Sequence, residues 1–287
     1  MADDTDGTIL VTGASRGIGK AAALHLDGLG FRVLAGVRSE EDAAALRREG
    51  SERMEPVFLD VTDPESIAAA AETARRAAPG GLAGLVNNAG MVVAGPLELL
   101  PPEAIRSQLD VNSVGPVALT QAMLPLLRSG AEGGTRATPG RIVNVSSANG
   151  RVATPWAGAY AASKFALEAL SDALRMELRP WGIPVVVVQP GAIDTPIWRR
   201  SFERAMENLG GVPPERKELY ATTLEKLERR QGRGPSHAIP AERVARVIAR
   251  ALTARRPKTR YLVGREAWLA ALVAPLPDRL RDRILGG

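Results

Sequence analysis

I-L-V-T-G-A-S-R-G-I-G, Ile9 to Gly19, is the stretch whose reading decides the fold. Thr8 to Thr12 is a short apolar run that stops at Gly13, which reads as a buried strand. Ile18, Ala22, Leu26 and Leu29 then recur at helical spacing until Gly30, a C-terminal stop. The alternation continues outward. Phe31 to Val37 is a second apolar run, Glu40 to Arg48 a helix ending at Gly50, and Val57 to Leu59 a third strand. Thr62-Asp63-Pro64 opens an Ala-rich helix that ends near Pro79-Gly80-Gly81, and Leu82 to Val86 is a fourth strand. Strands alternating with helices imply parallel pairing, right-handed crossovers and helices on both faces of one sheet.

The second half repeats the pattern. A long helix falls within Glu103 to Arg128, with Gly115-Pro116 locally unfavourable to it. A Gly/Thr/Pro-rich loop, Ser129 to Gly140, leads into a strand from Arg141 to Val145. A helix over Ala157 to Leu178 precedes a strand from Ile183 to Gln189 with V-V-V-V at its centre. Residues 196–240 are charged and broken by Gly210-Gly211, Pro213-Pro214 and Gly232 to Pro235, which predicts a mobile helical lid rather than a second domain. Val244 to Ala254 is a packed helix, Tyr261 to Val263 the last strand, and 265–287 a helical extension. The expected architecture is α/β: one doubly wound domain over 1–287, its parallel sheet holding about seven strands.

Composition removes several classes of function. With 287 residues and 45% hydrophobic content the chain can bury a sizeable core. The absence of Cys excludes disulfides, thiolate catalysis and Cys-ligated metal, and two distant histidines, His25 and His237, argue against a His-based metal site. The formal charge of +5 comes from scattered, mostly Arg residues with no Lys/Arg run longer than two, which argues against a nucleic-acid partner. No apolar run reaches the length of a membrane span, and the acidic start M-A-D-D-T-D-G carries no apolar core of a secretory signal, so the expected location is the cytoplasm.

Chemistry first shows in Ser146 to Lys164, S-S-A-N-G-R-V-A-T-P-W-A-G-A-Y-A-A-S-K. Tyr160 and Lys164 stand four apart in a helix, so phenol and ammonium share one face. A fixed positive charge favours the phenolate and brings its pKa toward the working range of an acid or base. Ser147, thirteen residues before Tyr160, can donate to the oxygen that the tyrosine protonates. With N-N-A-G (Asn87 to Gly90), Asn112 and the glycine turn, this constellation resembles the short-chain dehydrogenase/reductase family from about residue 8 to about residue 200.

The resemblance implies a Rossmann-type fold and hydride transfer between a nicotinamide dinucleotide and a carbonyl or secondary alcohol. It implies that Tyr160 is the acid in reduction and the base in oxidation, while Lys164 depresses its pKa and contacts the nicotinamide ribose. Ser147 then holds the substrate oxygen, with Ser146 as its rival, and Asn112 fixes a helix irregularity and a water that relays protons to Lys164. Gly13, Ser15, Arg16, Gly17, Ile18 and Gly19 form the pyrophosphate turn, where backbone N–H groups and the helix dipole hold an anion. Asp60 and Val61 border the adenine and Asn88 and Gly90 the ribose side. Pro190, Gly191, Ile193 and Thr195, in P-G-A-I-D-T, border the nicotinamide. Family members pair through the helices around Asn112 to Leu127 and Ala157 to Leu178, so a homodimer or homotetramer is expected.

The end of the second strand separates the two dinucleotides. An acidic residue there bonds the ribose 2′-hydroxyl of NAD and repels a 2′-phosphate. Here Arg38 follows Val37 and Arg16 lies in the nearby turn, although Glu40 and Glu41 come soon after. Two guanidiniums suit a 2′-phosphate, so NADP(H) is expected over NAD(H). For the substrate, Val152, Ala153, Pro155, Trp156, Ile197, Trp198 and Phe202 either line an apolar cleft for a bulky ketone or alcohol, or pack lid against body. The tail, W-L-A-A-L-V-A-P-L-P and then D-R-L-R-D-R-I-L, can close the pocket, cover an oligomer face or lie on a membrane surface. Its length, with A-G-V-R after strand two, resembles the steroid- and retinoid-oxidising branches, while T-G-A-S-R-G-I-G is equally at home among reductases of 3-oxoacyl thioesters.

Overall fold

In this computed structural model residues 7–128, 138–230 and 232–286 are described. β1 (Thr8–Val11) is buried along its whole length and turns into α1 (Gly17–Gly28), which directs Ala22, Ala23 and Leu26 inward. β2 (Arg32–Val37), α2 (Glu40–Glu49), β3 (Met54–Phe58), α3 (Pro64–Ala77) and β4 (Leu82–Asn87) follow. Ser39 and Asp63 cap the two helices: the Ser39 hydroxyl accepts from the Asp42 N–H at 3.2 Å, and Asp63 accepts from the Glu65 N–H at 3.0 Å. β3 starts at Met54, earlier than the sequence suggests, because Val33 to Val37 of β2 recruit Met54 to Phe58 as partners despite their mixed polarity.

Next come α4 (Pro102–Leu109) and α5 (Gly115–Arg128), joined by a π-helical turn over Asp110–Val114. Gly115-Pro116 therefore does not end the helix. The Gly115 N–H reaches back to the Asp110 carbonyl, and Pro116, which has no N–H to satisfy, falls in the first turn of α5. Glycine is needed at 115 because a Cβ would lie 2.7 Å from the Val61 carbonyl oxygen. Of the expected loop before the next strand, residues 129–137 lie outside the described residues, as does the acidic start at 1–6.

The remaining elements are β5 (Arg141–Val145), α6 (Gly158–Glu177), β6 (Val185–Pro190), β7 (Ile193–Asp194), α7 (Ile197–Gly210), α8 (Pro214–Glu218), α9 (Ala221–Arg230), β8 (Ile239–Pro240), α10 (Ala241–Thr253), β9 (Arg260–Val263), α11 (Arg265–Val273) and α12 (Asp278–Leu285). Seven strands form one parallel sheet in the order β3-β2-β1-β4-β5-β6-β9. One core, with Ala22, Leu26, Leu46, Val244 and Ile248, lies on one face under α1, α2 and α10. The other, with Ile67, Ala74, Leu119, Met123 and Leu127, lies under α3 and α5. Burying both faces is why the strands read as continuous apolar runs instead of alternating ones. α7 to α9 leave the sheet after β7 and return at β8, and these two strands pair Ile193 with Ile239 and Asp194 with Pro240. No helix among the described residues is long and apolar enough to cross a membrane.

Candidate active site

Strand order reverses between β1 and β4, and in doubly wound sheets the crevice at such a point takes the ligand. The two strand ends are stitched together by side chains. Thr12 Oγ1 accepts from the N–H groups of Asn88 and Ala89 at 2.9 and 2.8 Å, and Asn88 Nδ2 donates to the Thr12 and Gly13 carbonyls at 2.9 and 3.2 Å. Asn88, expected at the ribose, thus spends its amide on holding the glycine turn. Gly13 has φ 63°, and a Cβ there would stand 2.9 Å from Ala89 Cα; a Cβ on Gly19 would stand 2.1 Å from the Gly13 carbonyl oxygen. Thr195 faces the same turn, its side chain 3.1 Å from where a Cβ of Gly17 would be.

Ser147, Tyr160, Lys164 and Asn112 are brought together by β5, α6 and the π-helical turn. The Ser147 hydroxyl stands close enough to the Tyr160 phenol to act on its pKa. Its rival Ser146 has a buried hydroxyl, unpartnered among the described residues and packed against Gly150. Burial pushes the Tyr160 pKa up, and the Ser147 contact opposes this only in part. Lys164 is buried and donates to the Val145 carbonyl at 2.9 Å, with its nitrogen 5.9 Å from the Tyr160 ring centre. Burial draws its pKa down to about 8, countered by the carboxylate of Glu168 one turn on. The expected depression of the tyrosine pKa is therefore absent from this structure. The ammonium is held by a backbone carbonyl, and desolvation dominates.

Asn112 is fully buried in the π-helical turn. Its Oδ1 accepts from the Met91 N–H at 2.9 Å, and its Nδ2 donates to the Met91 carbonyl and to Ser163 Oγ, each at 3.0 Å. The side chain so pins the segment after Gly90 to α6, one residue from Lys164. Glu168, which the sequence reading passed over, accepts from Gln189 Nε2 at 2.7 Å and Arg260 Nε at 3.0 Å.

At the far end of the crevice Arg16 and Arg38 meet carboxylates that sequence spacing did not supply. Arg16 pairs with Asp42 at 3.4 Å and Arg38 with Asp60 at 3.6 Å. Burial would raise the Asp60 pKa, but the Thr62 hydroxyl and N–H and the Arg38 guanidinium hold it below the usual value. Arg38 remains 67% exposed and borders a groove of about 390 Å³ with Asp60, Thr62, Met91, Asp110 and Arg204. Val61, expected beside the adenine, is buried, and its backbone is crossed by Gly115.

The two tryptophans named for the substrate both make contacts within the protein. Trp198 Nε1 donates to the Ile193 carbonyl at 2.8 Å, and its ring lies 2.7 Å from where a Cβ of Gly234 would be. Trp156 meets the edge of Tyr220, between α8 and α9, with ring centres 6.1 Å apart, and takes φ 70°, uncommon for a bulky residue. Val152 turns from the crevice into a small core with Ala148, Ala267 and Ala270, which seats α11. Of the P-G-A-I-D-T residues, Gly191 donates to the Val263 carbonyl at 2.8 Å.

The residues present fit a dinucleotide: bare glycine backbone faces Thr195, and exposed guanidiniums stand beyond the end of β2. Comparison with known proteins agrees. Residues 7–205 match the short chain dehydrogenase family. Retinol dehydrogenase 5 of Mus musculus is 37% identical over 289 residues, spanning 98% of this chain and 88% of that one. An NADPH-dependent 3-dehydrocapnine reductase of Ornithobacterium rhinotracheale is 34% identical, spanning 96% and 94%. A short chain dehydrogenase of Burkholderia cenocepacia, solved in complex with NADP, superposes with a TM-score of 0.74 at 29% identity, covering 98% of each chain. The chain belongs to the short-chain dehydrogenase/reductase family, whose members bind NAD(P) and act on small molecules, and it is an oxidoreductase.

Proposed function

We propose that this oxidoreductase uses NADP(H) to interconvert a bulky apolar ketone or aldehyde and its alcohol, with Ser147, Tyr160, Lys164 and Asn112 at the reacting centre. The observation that carries the reading is the gathering of Ser147, Tyr160 and buried Lys164, the serine close enough to the phenol to act on its pKa. When bound, the dinucleotide supplies or accepts the hydride. Tyr160, which burial keeps protonated, donates its proton to the substrate oxygen in reduction and takes it back in oxidation. Ser147 donates to the same oxygen and fixes its position. Lys164 brings positive charge to the tyrosine's side of the crevice, and Asn112 holds the backbone at Met91. Arg16 and Arg38 support NADP(H), as do the NADPH-dependent relative and the NADP-bound neighbour. The retinol-oxidising relative supports an extended apolar substrate.

The same reading takes the chain as a single domain, with residues 196–240 as the lid over the substrate and a cytoplasmic location. It also includes a homodimer or homotetramer. α6 leaves Phe165 and Met176 exposed along its outer side, as a helix that pairs with a copy of itself does. The test is a panel of ketones, aldehydes and alcohols, including all-trans-retinal and retinol, followed by nicotinamide absorbance with each dinucleotide. Turnover of apolar substrates with NADPH but little with NADH is expected. Activity confined to small polar substrates, or a preference for NADH, would overturn the reading.

A further inference from the structure

α7 carries arginines four residues apart, Arg200 and Arg204, so both project from one side of the helix. Neither has a carboxylate within ion-pair distance among the described residues, although the next-door Arg199 pairs with Glu203 at 3.7 Å. Arg204 lines the groove that Arg38, Asp60 and Thr62 also line. Arg200 sits within electrostatic range of Arg16, Arg38 and Arg204, with Asp42 as the opposing carboxylate. Four guanidiniums from three separate segments therefore converge beyond the end of β2. Asp42 and Asp60 answer two of them, at the long distances of 3.4 and 3.6 Å, while Arg106 and Glu103 on the groove's other wall pair with each other at 2.9 Å. Asp110 completes the charged lining on that side.

Like charges four apart on a helix repel, and a cluster with more cations than anions costs stability until an anion joins it. Burial and the neighbouring guanidiniums draw the Arg200 pKa down, as expected for a cation placed among its own kind. An anion here has to be small, multiply charged and reachable from the groove. A phosphate monoester fits, since planar guanidiniums approach its oxygens from several sides. α7 itself begins directly after Thr195, which lies against the glycine turn, so the helix is tied to the crevice at its first turn.

We propose that Arg200 and Arg204 complete the site for the 2′-phosphate of NADP(H), so that the dinucleotide fastens α7 at the same point where it is discriminated from NAD(H). This rests on the NADP(H) reading above and adds two residues from the 196–240 segment to the phosphate contacts of Arg16 and Arg38. The sequence passed over them because they lie some 160 residues beyond β2, and basic residues are scattered throughout.

The test is calorimetric titration of the full chain with 2′,5′-ADP and with 5′-AMP, which differ only in the 2′-phosphate. Arg200→Gln, Arg204→Gln and Arg38→Gln are compared with the unaltered protein after melting curves confirm folding. Arg204→Gln and Arg200→Gln are each expected to weaken 2′,5′-ADP by about tenfold while leaving 5′-AMP within twofold. Arg204→Lys should restore part of the loss. If both lid variants bind 2′,5′-ADP as the unaltered protein does while Arg38→Gln does not, the α7 inference falls and the NADP(H) reading stands. If the unaltered protein binds the two fragments equally, the NADP(H) reading falls and takes the inference with it. An equal loss for both fragments in the lid variants also overturns the inference, because the contact is then not with the 2′-phosphate.

Discussion

Lys164 gives its ammonium to the carbonyl of Val145 at 2.9 Å, and the charge stands 5.9 Å from the centre of the Tyr160 ring. The two side chains share a helix face, and the ammonium lies at the edge of cation–π range of the ring while its hydrogen bond goes to the backbone. A buried cation with one carbonyl partner is less favourable than one in water, which is why its pKa falls to about 8.

That placement gives a stability signature. Between about 8 and 10.5 the unfolded chain keeps the Lys164 proton and the folded protein has lost it, so stability rises with pH across this window. Below it both states are protonated and the contribution is flat. Tyr160 acts in the opposite sense above 10, where the folded protein retains a proton that the unfolded chain loses. Urea unfolding of the unaltered protein and Lys164→Met over this range should give a stability difference that grows in favour of Lys164 from pH 8 to 10. A difference independent of pH would show that the ammonium is not desolvated as described.

Asn112 is expected to matter for stability as well as turnover. Asn112→Ala leaves the Met91 N–H without its partner, while the Met91 carbonyl keeps the bond from Gln108 Nε2 at 2.7 Å, and one such unsatisfied group costs about 1–3 kcal/mol. Urea midpoints should fall accordingly, with an unchanged slope. A variant as stable as the original would mean that water replaces the amide.

Much of this was legible in the sequence because buried parallel strands must be apolar throughout, and each run ends at a residue that cannot continue it. Val11 before the glycine turn and the V-V-V-V of β6 are such cases. The Ser147–Tyr160 contact was legible because the two residues lie on adjoining elements at fixed spacing. What stayed hidden depends on contacts far apart in the chain. Asp42 and Asp60 reach Arg16 and Arg38 only once α2 and β3 are in place. Trp198 shows its packing role only when Gly234 comes back over it. The direction of the Tyr160 shift also needs burial and the lysine's actual partner, which spacing alone does not contain.

Arg38→Asp should move preference from NADP(H) toward NAD(H). The new carboxylate repels a 2′-phosphate and accepts from a 2′-hydroxyl. It also stands beside Asp60, so some loss of affinity for both dinucleotides is expected. The measurement is the ratio of kcat/KM values with the two. An unaltered protein that already prefers NAD(H) would remove the premise.

Tyr160→Phe is the sharpest test of the reacting centre. It keeps the ring and removes only the oxygen that Ser147 acts on. Binding of NADP(H) should therefore persist within a fewfold, read by fluorescence of the reduced form. Turnover should fall by on the order of 10²–10⁴-fold, the contribution of a positioned acid or base. Ser147→Ala should also lower turnover, but it leaves the tyrosine to exchange its proton, so its loss should be the smaller. The tyrosine's proton is held by burial, so reduction should stay level through neutral pH and decline only in alkali. Retention of more than about a tenth of the original turnover by Tyr160→Phe would place the proton transfer on another group.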